Sequence, residues 1–188
     1  TFDMSTTPLM GRHNYMNALF AVQVALQVGI APERIQEGLN TFVNAPHRLE
    51  KVATVEGVEY INDSKATNVD SVYYALEAMS RPTVWIVGGQ DKGNDYEPLL
   101  EFVKAKVKAV VCMGLDNRKI VQCFSGIVEN IVETGSAVEA VTTAARLASP
   151  GDTVLLSPAC ASFDLFKNYE DRGNQFKAAV FTMMNDEL

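Results

Sequence analysis

From Val58 to the C-terminus the chain switches repeatedly between two hydrophobic periods, and that alternation restricts it to few architectures. Thr83–Val87, Ala109–Met113, Asn130–Glu133 and Thr153–Leu156 are compact, β-branched runs of strand length. Asp70–Met79, Glu97–Val107, Asn117–Phe124, Ser136–Ala148 and Asn168–Met184 have helical length and spacing. Strands that take turns with such helices need crossover connections, so the expectation is an α/β fold: a mostly parallel sheet with helices on both faces. Lys51–Val55 and Val58–Ile61 read as two further short strands about the Glu56-Gly57 turn.

The first segment reads differently. His13 to Val28 carries Tyr15, Met16, Leu19, Phe20, Val22, Leu26 and Val28, a helix too apolar to stand in solvent, with Gly29 as its C-terminal stop. A second helix begins at Pro32 and sets Ile35, Leu39 and Phe42 on one face. Asn44-Ala45-Pro46 breaks the pattern, which places a domain boundary between residues 1–45 and 46–188. The chain opens on Thr1 without an initiator Met, as a fragment or a processed product would.

A net charge of −7 speaks against general binding to nucleic acid, because phosphate neutralisation needs a basic excess. Cys112, Cys123 and Cys160 are odd in number and far apart, the pattern of reduced thiols in a cytoplasmic protein. No apolar run approaches the roughly 18 residues of a membrane span. His13 has no second ligand at metal spacing, and no metal site is expected in these residues.

An open α/β sheet binds ligands beyond the carboxyl ends of its strands, so the loops there carry the functional signal. Asp63-Ser64-Lys65-Ala66-Thr67-Asn68 follows the Val58 strand and gathers an acid, two hydroxyls, an ammonium and an amide. Helix capping by Asp63 or Thr67 explains one oxygen, but leaves Lys65 at a helix start, where the macrodipole disfavours a cation unless an anion arrives. Gly88-Gly89-Gln90-Asp91-Lys92-Gly93-Asn94 follows the Val84 strand; its glycines allow close approach and Lys92 offers a positive charge, though a plain surface turn reads the same way. Ser157-Pro158-Ala159-Cys160-Ala161-Ser162-Phe163-Asp164 adds hydroxyl donors, with Tyr169 close behind. A nucleophilic Ser or Cys fits poorly, since no GxSxG elbow is present. Asn14 and Asn17 share a helix face, and Arg48 could clamp a phosphate by its planar fork. Neither GxxxxGK[ST] nor GxGxxG occurs.

In order and spacing, these strings resemble the Mur ligase family, closest to its D-glutamate-adding members. The resemblance is carried by Gly11-Arg12-His13-Asn14 with Asn17, His47-Arg48-Leu49-Glu50, Ile61 to Asn68, Gly88 to Gly93, and Ser157 to Asp164 with Asn168, Arg172 and Gly173. It implies a Rossmann-like C-terminal domain preceded by a short helical segment from the end of a central ATPase domain. It implies an ATP-dependent ligase that phosphorylates the carboxylate of UDP-N-acetylmuramoyl-L-alanine and lets the amine of D-glutamate attack the acyl phosphate.

By match, Asn14 and Asn17 contact the adenine side of ATP, Arg48 its phosphates and Asp63 its ribose. Lys65 holds the transferring phosphate and the intermediate. Thr67, Lys92, Ser162 and the backbone at Phe163 hold the carboxylates of D-glutamate, with Tyr169 lining the pocket. The family often has Leu in place of Phe163 and Phe in place of Tyr169. The P-loop, the ligands of Mg²⁺ and the UDP-binding domain of the family are missing, so the chain is expected to be inactive alone. Closure about Asn44–Arg48 is expected to complete the site. A general base for the amine is not evident. The expected protein is a cytoplasmic monomer with small-molecule partners, no nucleic acid and no membrane. Alternatives are another Mur or folylpolyglutamate-type ligase, or a non-catalytic Rossmann nucleotide-binding module.

Overall fold

The computed structural model describes residues 1–9 and 11–186. The chain divides into two compact units, Thr1–Pro46 and His47–Leu188.

The first unit holds helices α1 (Arg12–Gln27) and α2 (Pro32–Asn40). Ala18 and Val22 of α1 pack against Ile35 and Leu39 of α2, with Phe2, Met4 and Leu9 closing the small cluster. The sequence predicts a buried α1, and the structure differs: Tyr15, Met16, Leu19, Phe20 and Val24 are all exposed. The physical reason is size. A unit this small presents one partner helix, and one helix covers a single stripe of another.

The second unit is a six-stranded sheet of order β1-β2-β6-β3-β4-β5. Its strands are β1 (Glu50–Val55), β2 (Val58–Asn62), β3 (Thr83–Val87), β4 (Val107–Met113), β5 (Asn130–Thr134) and β6 (Thr153–Leu156). Only β1 and β2 pair antiparallel, as a hairpin about Glu56 and Gly57, both at positive φ; every other pairing is parallel. The last strand therefore inserts between β2 and β3, and the direction of the winding reverses there.

Both faces of β3 and β6 are buried, which accounts for runs that are continuously apolar after their first threonine rather than alternating. Val84 and Ile86 face a core shared with α6 (Ala137–Leu147) and α7 (Tyr169–Asp186). Trp85 meets Phe124 of α5 (Arg118–Phe124) edge to face, on the side of α3 (Val69–Ala78) and α4 (Leu100–Lys106). The fold is thus the expected α/β sheet covered by helices on both faces.

Local differences from the sequence reading have local causes. The expected helix at Glu97 starts as a 3-10 turn, Glu97–Leu99, around Pro98, and α-helix follows only from Leu100. It ends at Lys106, so β4 begins at Val107, ahead of the expected Ala109. Lys106 caps the end of α3 by donating to the carbonyls of Leu76 and Glu77 at 3.0 and 2.7 Å. Among the described residues no helix is long and apolar enough to cross a membrane.

Candidate functional site

The reversal between β2, β6 and β3 makes a crevice at the carboxyl ends of these strands, where an open α/β sheet takes its ligands. Three loops line it: Asp63–Asn68 after β2, Gly88–Asn94 after β3, and Ser157–Asp164 after β6. They are knitted together by their own backbones. Asp63 N–H donates to Leu156 O, Ala159 N–H to Ala66 O, Gly88 N–H to Pro158 O, and Gln90 N–H to Ala161 O, over 2.7–3.0 Å. Gly88 and Gly89 sit at φ 126° and 132°, and a Cβ on Gly89 would run into the Ala161 carbonyl. The glycines are there because two loops cross at van der Waals distance.

The Asp63–Asn68 loop carries most of the chemistry. Its helix cap is neither Asp63 nor Thr67, as the sequence suggested, but Asn68, whose Oδ1 accepts from Ser71 N–H at 2.8 Å. Lys65 thus precedes the first residue of α3, Val69, by four positions and is not at the helix start itself. Its Nζ donates to the Tyr169 hydroxyl at 2.7 Å and lies 4.3 Å from the centre of that ring. Asp63 is buried, with Oδ1 accepting from Leu49 N–H at 3.2 Å and Oδ2 from Ser157 Oγ at 2.8 Å. Burial pushes its carboxyl up to about 7, against the pull of those two donors and of Arg48.

Beneath the loop lies Arg172, fully buried. Its Nε donates to Ser64 Oγ at 3.0 Å, Nη2 to Ser64 O at 2.9 Å and Nη1 to Cys160 O at 3.1 Å. Burial lowers its ordinary value to about 10, and a guanidinium there remains charged at neutral pH. Its acceptors in these bonds are neutral oxygens, and the Asp164 carboxylate acts on it through charge. Sequence reading gave Arg172 no role, though a signal was present: Arg172, Phe176, Ala179 and Val180 recur at helical spacing along the buried face of α7.

His47 and Asn62 stand in the strings that carry the resemblance but were likewise given no role. Asn62 Nδ2 donates to His47 Nδ1 and to Glu50 Oε2, each at 2.9 Å, and burial followed by Lys177 lowers the imidazole, keeping it neutral. His47 and Leu49 both adopt positive φ, 65° and 43°, held by Lys65 N–H on His47 O and by Asp63 on Leu49 N–H. Gly173 makes room for the imidazole, which any side chain there would strike.

Of the residues singled out from sequence, Lys65 and Tyr169 are in direct contact, and Asp63 feels the charge of Arg48. Ser162 is buried next to the Gln90–Ala161 crossing, whereas Thr67, Lys92 and the Phe163 side chain are exposed around the rim. Asp91 Oδ1 accepts from Gly93 and Asn94 N–H at 2.6 and 2.9 Å, which shapes the turn that presents Lys92. Asn14 and Asn17 are one turn apart at the start of α1, in the first unit. A cavity of about 650 Å³ opens beside the Gly88 loop, between Asp91, Arg118, Lys119 and Asp164. Among the described residues, no cluster of three or more His, Cys, Asp or Glu could hold a metal ion.

Residues 47–160 match the family model described as Mur ligase, glutamate ligase domain. The chain is 56% identical over 180 residues to the UDP-N-acetylmuramoylalanine–D-glutamate ligase of Christiangramia forsetii, covering 96% of this chain and 40% of that protein. It is 53% identical over 176 residues to the enzyme of that name from Cytophaga hutchinsonii, covering 94% and 39%. Among solved structures, the UDP-N-acetylmuramate-alanine ligase MurC of Thermotoga maritima superposes with a TM-score of 0.69 at 14% identity, over 94% of this chain and 40% of that one. The chain thus spans about 40% of the length of the curated relatives it matches.

Proposed function

The chain belongs to the Mur ligase family, and from that premise we propose that it is part of an ATP-dependent ligase that joins D-glutamate to UDP-N-acetylmuramoyl-L-alanine. In this reading residues 1–45 end the central ATP-binding domain and residues 46–188 form the C-terminal domain. The parent protein is a cytoplasmic monomer of peptidoglycan precursor synthesis.

The observation that supports the reading is the convergence of Lys65, the Lys92 turn and Ser162 on three loops locked to one another at the sheet's reversal. A doubly anionic amino acid and a transferring phosphoryl group both need fixed cations and donors, and this rim supplies them. The γ-phosphoryl of ATP passes to the carboxylate of the nucleotide substrate. The amine of D-glutamate then attacks the acyl phosphate; the tetrahedral intermediate expels phosphate and leaves the amide. Lys65 offsets negative charge as it accumulates on the phosphoryl oxygens and on the intermediate, with the buried Arg172 adding its field from below. Lys92, Thr67, Ser162 and the Phe163 backbone hold the carboxylates of D-glutamate. Arg48 and Asp63 take ATP phosphates and ribose, and Asn14 and Asn17 the adenine. Each Asp63 oxygen accepts one bond and keeps acceptor capacity for a ribose hydroxyl. The described residues include no set fit for Mg²⁺, and no step here runs through it.

The test uses the full-length polypeptide that carries this segment. Phosphate release is expected only when ATP, UDP-N-acetylmuramoyl-L-alanine and D-glutamate are all present, and L-glutamate is not expected to replace the D-isomer. The 188-residue chain by itself is expected to give no turnover. Preference for L-glutamate on a folate acceptor, or saturable NAD binding without ligation, overturns the reading.

A further inference from the structure

Lys65 is a long side chain at a rim where its charge is useful only if its position is fixed. Both ends of it are registered on the same frame. Its backbone N–H donates to His47 O at 3.0 Å, and its ammonium reaches the hydroxyl of Tyr169. The Tyr169 ring in turn stands edge-on to the His47 imidazole, 5.9 Å between centres at 84°. The Tyr169 carbonyl accepts from Ser64 Oγ at 2.7 Å, and Ser64 is itself held by Arg172. The phenol is therefore anchored at ring and backbone by the neighbours of the lysine it contacts.

We propose that Tyr169 is a positioning residue for Lys65, its hydroxyl accepting from the ammonium and so fixing where that charge stands. The neighbouring Glu170 carboxyl is held below the usual range, first by the Tyr169 hydroxyl, with the charge of Lys65 adding to it. The ammonium has three donors. One goes to Tyr169, and two stay available for phosphoryl or intermediate oxygens. Tyr169 thus acts through Lys65, and their contact spans the gap between the loop after β2 and the start of α7. This goes beyond lining a pocket; its catalytic half rests on the ligase reading above, and its structural half does not.

Tyr169→Phe removes the hydroxyl but keeps the ring beside His47 and the backbone bond to Ser64. In the ¹⁵N-labelled 188-residue chain, the Lys65 ammonium, assigned by its loss in Lys65→Arg, is expected as a hydrogen-exchange-protected resonance. Tyr169→Phe is expected to abolish that protection. Glu170→Gln, which removes the carboxylate charge beside the phenol and the ammonium and serves as the second variant if Tyr169→Phe fails to fold, is expected to reduce it. In the full-length ligase, Tyr169→Phe is expected to lower kcat on the order of tenfold with KM for D-glutamate unchanged. A Lys65 resonance that is unprotected in the parent chain, or indifferent to both variants, overturns the proposal whatever the protein catalyses. A rise in KM for D-glutamate at constant kcat also overturns it, because it makes Tyr169 a substrate contact. Absence of ligation by the parent full-length protein sinks the ligase reading alone, and the ammonium resonance still decides the Lys65–Tyr169 hydrogen bond.

Discussion

Ser157 Oγ donates to Asp63 Oδ2 across 2.8 Å, joining the end of β6 to the loop after β2 through a carboxylate that is almost wholly out of solvent. Because burial outweighs its donors, Asp63 holds a proton up to about pH 7 in the folded chain. An unfolded Asp releases it near about 3.9. Between those values the folded state binds the extra proton, so this group's contribution to stability falls as pH rises through the window and levels off above it. Asp63→Asn is expected to flatten that part of the profile. His47, whose ordinary value is lowered, works in the opposite direction below about 6.5. The check is therefore the difference in urea midpoint between parent and variant at pH 5 and pH 8. A parallel pair of profiles contradicts it.

Arg172 ties the carbonyls of Ser64 and Cys160 together from below the rim. Replacing it by Met leaves these buried acceptors unpaired and is expected to cost about 3 kcal/mol in urea unfolding. Arg172→Lys keeps the charge but not the fork, and is expected to recover less than half of that loss. An unchanged midpoint for Arg172→Met would show that water replaces the guanidinium freely.

Gly89 and Gly93 share positive φ but differ in what surrounds them. At Gly89 a methyl group meets the Ala161 carbonyl; at Gly93 nothing lies within 4 Å. Gly93→Ala is expected to cost about 1 kcal/mol, from backbone strain alone. Gly89→Ala adds a steric clash with a strand-end loop and is expected to cost at least about 3 kcal/mol. Chemical denaturation of the two variants side by side measures the gap; equal losses would mean that the loops can separate.

Asn68 satisfies Ser71 N–H at the start of α3. Asn68→Ala is expected to destabilise the chain by about 1 kcal/mol, while Asn68→Asp is expected to be nearly neutral. Thermal melts of both decide it, and a harmless Ala would transfer the capping role back to a neighbouring side chain.

What could be read from sequence was what repeats locally. β3 is apolar at every position from Val84 to Val87, and a doubly covered strand leaves that signature without reference to the rest of the chain. The Glu56-Gly57 turn and the Asn68-bearing loop were visible for the same reason. What could not be read depends on distant pairing. Nothing in Thr153–Leu156 says that it lies between β2 and β3, because parallel strands are matched across intervening helices. Among the site residues, Lys65 and Ser162 announced themselves by polarity in a loop. Arg172 was disguised as one more helix charge, since its burial follows from the three acceptors that the fold gathers around it. The apolar surface of α1 misled for a related reason: side chains report that they favour burial, not whether a small unit can provide it.

The position of β6 also sets an order of assembly. β2 is complete by residue 62 and β3 by residue 87, yet the strand that lies between them ends at residue 156. During synthesis on a ribosome, the two strands that flank it therefore wait with open backbone edges until residue 156 has emerged. Such long-range closure is slow, and exposed edges invite pairing with other chains. A nascent chain arrested before Thr153 is an aggregation hazard that the finished molecule does not share.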